Sequence, residues 1–376
     1  YDYGKIAASC SPLSLNNDHD ASMWRYLPLL PVREAPENRS LRVGGPPLVD
    51  FPRIAKKTGI ARLQIKDDTR NPSGSLKDRA SELAIQHARE LGQDKIIAAS
   101  TGNAGSSLAA LTAYHNMKSI ILAPATAPPA KLTQILQHGA QLVPVNANYD
   151  AAFDLAFEWA QKHKSYCRNT GINPILAEGK KTVALEIAEE NDWKVPDHIF
   201  IPVGDGCIIS GVYKGFFDLV SLKWIESMPA LHAVQAEGSA AIVDSLSDEG
   251  EIQTVSANTI ADSISVDQPR DGGKARRAIL ESGGRGFRVS DADILEAQKL
   301  LSETTGIFAE PAAAAAYAGF MQAFKTGVFK PDDHVVVLIT GSGLKDTANA
   351  QKLLRPIESV SATLADVEIF LDNPQD

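Results

Sequence analysis

The chain has 376 residues, 44% of them hydrophobic, with 37 Lys+Arg against 46 Asp+Glu and a formal net charge of −9. That is enough for one large or two ordinary domains with a real core, and an acidic balance with no long basic run argues against a nucleic-acid partner. Three widely spaced cysteines (Cys10, Cys167, Cys207) form no CxxC, the eight histidines form no HExxH, and no apolar stretch is long enough to span a bilayer. A disulfide framework, a metal site and a membrane anchor are therefore not expected. No charged-then-apolar leader pattern is visible at the start, and a soluble cytoplasmic protein is the expectation.

Residues 1–45 read as irregular, with prolines at 28, 31 and 36. From about residue 50, short β-rich runs alternate with longer helical ones. KIIAAS (95–100) predicts a buried strand and SSLAALTAYHN (106–116) a helix; SIILAP (119–124) and AQLVPV (140–145) predict strands around a helix over 130–139. YDAAFDLAFEWAQKH (149–163) has apolar residues at helical spacing. In the second half, strands are predicted at 198–204, 231–238 and 333–343, the last nearly all apolar, as at the centre of a parallel sheet. Helices are predicted at 211–220, at 290–306 with Ser290 as N-cap and Gly306 as stop, and over the Ala-rich 310–327. Strand–helix–strand alternation with connections of this length implies parallel pairing through right-handed crossovers. The fold class is α/β, with two doubly wound parallel-sheet domains. The segment 246–289, rich in Gly, Ser and charge, reads as a surface-lying or mobile excursion.

Ligands of such sheets bind beyond the carboxyl ends of the strands, and three loops there stand out. STGNAGSS (100–107) offers backbone N–H groups at a helix N-terminus, a seat for a carboxylate, and Asn103 adds a side-chain amide. GDGCIISG (204–211) lets the backbone come close to a ligand, and the helix that follows favours a phosphate. It is neither a P-loop, since no GK[ST] follows, nor a complete GxGxxG, which also argues against a nicotinamide dehydrogenase. TGSGLKD (340–346) places the hydroxyl of Thr340 at a strand end. Each of these, taken alone, reads equally well as a tight turn or a cap. Lys77 sits behind small residues in NPSGSLKDRA (71–80), at the start of a predicted helix. A helix N-terminus and burial both lower an amine pKa, as an imine-forming lysine requires; alone, it also reads as a solvated, paired lysine. An imine-forming amine, a phosphate seat, a carboxylate seat and a terminal hydroxyl are together the parts needed to hold pyridoxal phosphate and an amino acid.

At this point the sequence resembles the fold-type II pyridoxal-phosphate enzymes, and within them the threonine synthases. The resemblance runs in order through WRYLPLLP (24–31), KDDTRNPSGSLKDRA (66–80), STGNAGSS (100–107), EGKKTVALEI (178–187), PVGDGCIISGVYKGF (202–216), EPAAAAAYAG (310–319) and TGSGLKD (340–346). It implies that Lys77 carries the cofactor as an imine and moves protons, and that Asn103 hydrogen-bonds the cofactor's 3′-hydroxyl. Backbone N–H groups of Gly204, Asp205, Gly206, Cys207 and Ile208 would hold its phosphate, and Thr340 would face the ring nitrogen. Ser100, Thr101, Gly102 and Ala104 would seat the substrate carboxylate. The reaction implied converts O-phospho-L-homoserine and water to L-threonine and phosphate, in a homodimer. The implied domains are a smaller one over 78–172 and a larger, discontinuous one over 1–77 and 173–376, with the site between them.

The sequence departs from the family pattern at Cys207, where glycine is usual, at GGPPLV (44–49), at Ser342, where histidine is common, and at Leu176. Many threonine synthases carry at that last place an arginine that meets the substrate phosphate, and its loss removes a bidentate clamp. Lys131, Lys180 and Lys181 are the candidates to replace that charge. The alternatives left open are a threonine/serine dehydratase or a β-replacement enzyme using phosphoserine or a related amino acid, and a non-catalytic ligand-binding relative.

Overall fold

A computed structural model describes residues 1–127, 129–247, 250–354 and 359–372, with the side chains of residues 129–131 left out. The strands, in chain order, are β1 (Leu48–Asp50), β2 (Arg62–Asp67), β3 (Lys95–Ala99), β4 (Lys118–Pro124), β5 (Gln141–Val145), β6 (Tyr166–Cys167), β7 (His198–Pro202), β8 (Ala230–Ala236), β9 (Gly286–Val289) and β10 (His334–Ile339). Among the described residues they form a six-stranded sheet, β1-β2-β10-β7-β8-β9, and a four-stranded sheet, β5-β4-β3-β6. All pairings are parallel except β1 with β2, an antiparallel edge.

Alternation along the strands explains the layering. On β7, Ile199 and Ile201 face a core built with the helices Thr182–Glu190, Cys207–Ser221 and Gly272–Glu281. Phe200, between them, faces the opposite core with the helices Asp291–Thr305 and Pro311–Lys325. Strand β10 splits the same way, Val336 and Leu338 to one side and Val335, Val337 and Ile339 to the other. Both faces are dry, which is why the strand reads as an unbroken apolar run. In the smaller sheet Ile96 and Ala98 pack under the helices Lys77–Glu90 and Asn103–Tyr114, while Ile97, Ala99 and Leu122 meet the helix Tyr149–His163.

Three expectations are revised. Residues 1–45 are not irregular throughout: Tyr3–Ser9 and Pro12–Asn16 are short helices and Met23–Leu29 is a 3-10 helix. The alternation did not mark β2, because its inward side chains include Gln64 and Lys66, both buried. Lys66 has its amine on Glu186 (2.8 Å), Glu190 and the Pro46 carbonyl (2.7 Å). The stretch 246–289 is also no surface excursion in its described part: Ala261 and Ile264 are buried, and residues 257 and 262–268 line the central cavity.

Candidate active site

The carboxyl ends of the parallel strands of both sheets open into one cavity of about 390 Å³. Its wall gathers Lys77, Ser100, Thr101, Gly102, Asn103, Ala104, Gly204, Asp205, Gly206, Cys207, Ile208 and Thr340. Residues far apart in the chain are thus brought together from three loops and a helix start.

Lys77 is the first residue of the helix Lys77–Glu90. The turn before it is fixed to the large sheet: Leu76 N–H donates to the Thr340 carbonyl (2.9 Å), and Ser75 bridges Gly341. Burial, and after it the neighbouring Lys180 ammonium, pull the Lys77 amine down from 10.5 to about 8. The neutral amine, the form that attacks carbonyls and accepts protons, is therefore far more accessible near neutral pH than in an ordinary lysine.

Two helix N-termini converge on this amine. The helix Asn103–Tyr114 starts at Gly102 and the helix Cys207–Ser221 at Gly206, and as glycines neither N-cap residue offers a capping side chain. Gly206 has φ +92°, and a Cβ there would stand 2.7 Å from the Ala275 Cβ; one on Gly204 would stand 2.9 Å from the Ile264 Cα. Glycine at both positions lets the 204–208 backbone lie between the 264–275 segment and the cavity. Asp205 holds that segment, its Oδ1 accepting from Arg270 N–H (3.2 Å) and its carbonyl from Asp271 N–H (3.0 Å). Ser100 is committed to its own turn, its Oγ accepting from Gly105 N–H (2.9 Å).

Asn103 donates its amide to Glu310 Oε1 (2.7 Å) and, at 3.4 Å, to Ser263 Oγ. Glu310 was not among the site residues read from the sequence. A glutamate ahead of a proline at a helix start reads as a cap, yet its side chain makes no cap bond and lines the cavity instead. Burial pushes its carboxyl up.

The proposed replacements for the phosphate clamp separate. Lys181 does not reach the cavity: its amine is on Asp218 Oδ2 (2.9 Å) and Glu178 Oε2 (2.6 Å), fully buried behind the site. It is corrected here from a substrate contact to an internal ion-pair residue, because the turn into the helix Thr182–Glu190 faces it away. Lys180, one residue earlier, lines the cavity. Leu176 is buried in the apolar core under the helix Lys77–Glu90. The Lys131 side chain lies outside the described residues.

A fold with ligand loops at parallel strand ends and a lowered lysine amine beside two helix N-termini is the arrangement that an imine-forming α/β enzyme requires. Residues 39–341 match the family described as "Pyridoxal-phosphate dependent enzyme", and the chain belongs to that family. It is 38% identical over 349 residues to threonine synthase of Methanocaldococcus jannaschii, covering 92% of this chain and 86% of that one. It is likewise 38% identical to threonine synthase of Methanosarcina acetivorans, covering 92% and 85%. Among solved structures, threonine deaminase isoform 2 of Solanum lycopersicum superposes with TM-score 0.70 at 24% identity, covering 81% of this chain and 86% of that one, and shows the same fold. Within the family the chain is threonine synthase-like, and pyridoxal phosphate is its cofactor.

The residues present fit that group. Lys77 would supply the amine, the 204–208 turn would supply backbone donors beside glycines that allow close approach, and Asn103 and Thr340 would supply polar atoms in the same cavity.

Proposed function

We propose that the protein converts O-phospho-L-homoserine and water to L-threonine and phosphate. The observation that carries the reading is that a lowered lysine amine, a carboxylate seat and a phosphate seat share one cavity, in a chain aligned with threonine synthases over 92% of its length. The bound cofactor would withdraw electrons from the substrate's α-carbon. Thr101, Gly102 and Ala104 open the helix Asn103–Tyr114, whose unpaired N–H groups would orient the substrate carboxylate. Lys77 Nζ would take and return protons at the α-carbon and the carbons beyond it, since a pKa lowered to about 8 lets its amine both accept and donate near neutral pH. The wall that bears Asn103 comes from the four-stranded sheet. We assign 78–172 as a unit that closes over 1–77 and 173–376 and excludes water.

The test is direct. Purified protein given O-phospho-L-homoserine should release threonine and phosphate in equal amounts; phosphate or ammonia without threonine would remove this reading. A second reading has its own observation: Leu176 lies in the core, and the arginine that does line the cavity, Arg270, is paired with Asp150. It favours elimination or β-replacement on a shorter amino acid such as O-phosphoserine, and a keto acid with ammonia, or a β-substituted alanine, would be its product.

A further inference from the structure

Lys180 has only 1% of its surface exposed, and its place is set by packing. It ends the helix Ile175–Lys180, which lies so close to the helix Cys207–Ser221 that a Cβ on Gly211 would stand 2.9 Å from the Lys180 Cβ. The side chain is thereby directed to the first turn of that second helix, where its amine interacts with the Cys207 thiol and lines the cavity beside Lys77. A lysine is out of place there by ordinary electrostatics. A helix N-terminus repels cations, a second amine stands nearby, and a buried charge is costly unless matched. Lys181 next to it is matched by two carboxylates; Lys180 makes no ion pair among the described residues, and the carboxylate that acts on it is Asp205. Of the carboxylates that act on this corner, Asp205 accepts from the Arg270 N–H and Asp271 from Lys274.

We infer that Lys180 is a phosphate-binding residue, a buried ammonium that pairs with the cofactor phosphate seated on the 204–208 turn. A charged donor would supplement the backbone N–H groups, so that the phosphate is held as a dianion between a helix terminus and an ammonium. The same amine crowds Lys77, so one side chain both anchors the cofactor and biases the reactive lysine toward its neutral form. The inference concerns the cofactor and stands whichever amino acid is turned over.

Binding to the cofactor-stripped full-length protein tests it. Lys180→Gln should weaken pyridoxal phosphate by about tenfold or more, the loss of one charge-assisted hydrogen bond. It should weaken pyridoxal, which has the aldehyde and no phosphate, far less, only through the lost crowding of Lys77. Lys180→Arg should restore most of the loss. An equal effect on both ligands, or none on pyridoxal phosphate, overturns the inference. A measurement on the unaltered holoprotein guards against a variant that fails to fold. The phosphorus resonance of the bound cofactor should stay at its dianion position down to about pH 6, where a free phosphate ester is half protonated. A resonance that titrates like the free ester overturns the inference equally.

Discussion

Lys77 combines two properties that oppose each other in most lysines: it is rigidly placed and it is weakly basic. The Leu76–Thr340 backbone bond fixes its origin, and burial followed by the Lys180 charge brings its amine to about 8. In the cofactor-stripped protein, the rate of imine formation with pyridoxal phosphate should therefore rise with pH to a midpoint near 8 and level off, as the neutral amine becomes dominant. A midpoint near 10.5, the ordinary lysine value, would contradict the burial argument. Glu310 yields a second expectation at this scale. It is the acceptor that holds the Asn103 amide, at 2.7 Å. Glu310→Ala should lower turnover by about tenfold, the worth of one buried hydrogen bond, with the cofactor still bound. Glu310→Gln keeps an acceptor and should keep most of the rate. Equal losses in the two variants would show that the charge, rather than the bond, matters.

At the level of elements, the 204–208 turn and the start of the helix Lys77–Glu90 bear most of the site. Gly206→Ala would place a Cβ at φ +92° and 2.7 Å from Ala275. A strain of about 1–3 kcal/mol is expected, with a lower melting temperature and weaker cofactor binding together. Two residues beyond Lys77, in the first turn of the helix Lys77–Glu90, Arg79 is fully buried on Asp68 (2.8 Å) and Glu186 (2.6 Å). Burial alone would raise the Glu186 carboxyl, but the Arg79 guanidinium and Lys66 ammonium overcome it and hold it at about 2. Arg79→Met leaves those carboxylates buried without their partner and should cost about 3–5 kcal/mol in a denaturant titration. The central strands β7, β8 and β10 were legible in the sequence because both of their faces are dry, and the helix Asp291–Thr305 because its Ser290 cap and Gly306 stop are local signals. Strand β2 was hidden, since the charge on its inner face is satisfied by residues over a hundred positions away. The 257–270 wall was hidden for a similar reason: its fit depends on Gly204 meeting Ile264, which no local pattern announces. The three site loops could be read because strand-end position and small residues are both visible in one dimension. Whether a lysine faces the cavity could not be read, because Lys180 and Lys181 differ only by which way a helix turn points them.

For the molecule as a whole, the sheets share one cavity, and stability should carry the mark of one buried and one half-buried histidine outside it. Burial, and then the charges of His198 and Arg285, pull His232 down to about 3; burial, and then Arg62, bring His334 to about 4. Both are neutral in the fold and would be protonated in the unfolded chain below about 6.5. The unfolded state then binds more protons, so stability present above pH 6.5 should fall as pH is lowered toward 4. Denaturant midpoints measured across that range should decline steadily; a flat profile would contradict the buried, neutral assignment. The claim on which the function rests is that Lys77, and no other lysine, forms the imine. Borohydride reduction of the native holoprotein followed by peptide mapping tests it most directly. The account predicts a pyridoxyl group fixed on Lys77; a label on Lys180 or another lysine, or none at all, would contradict it.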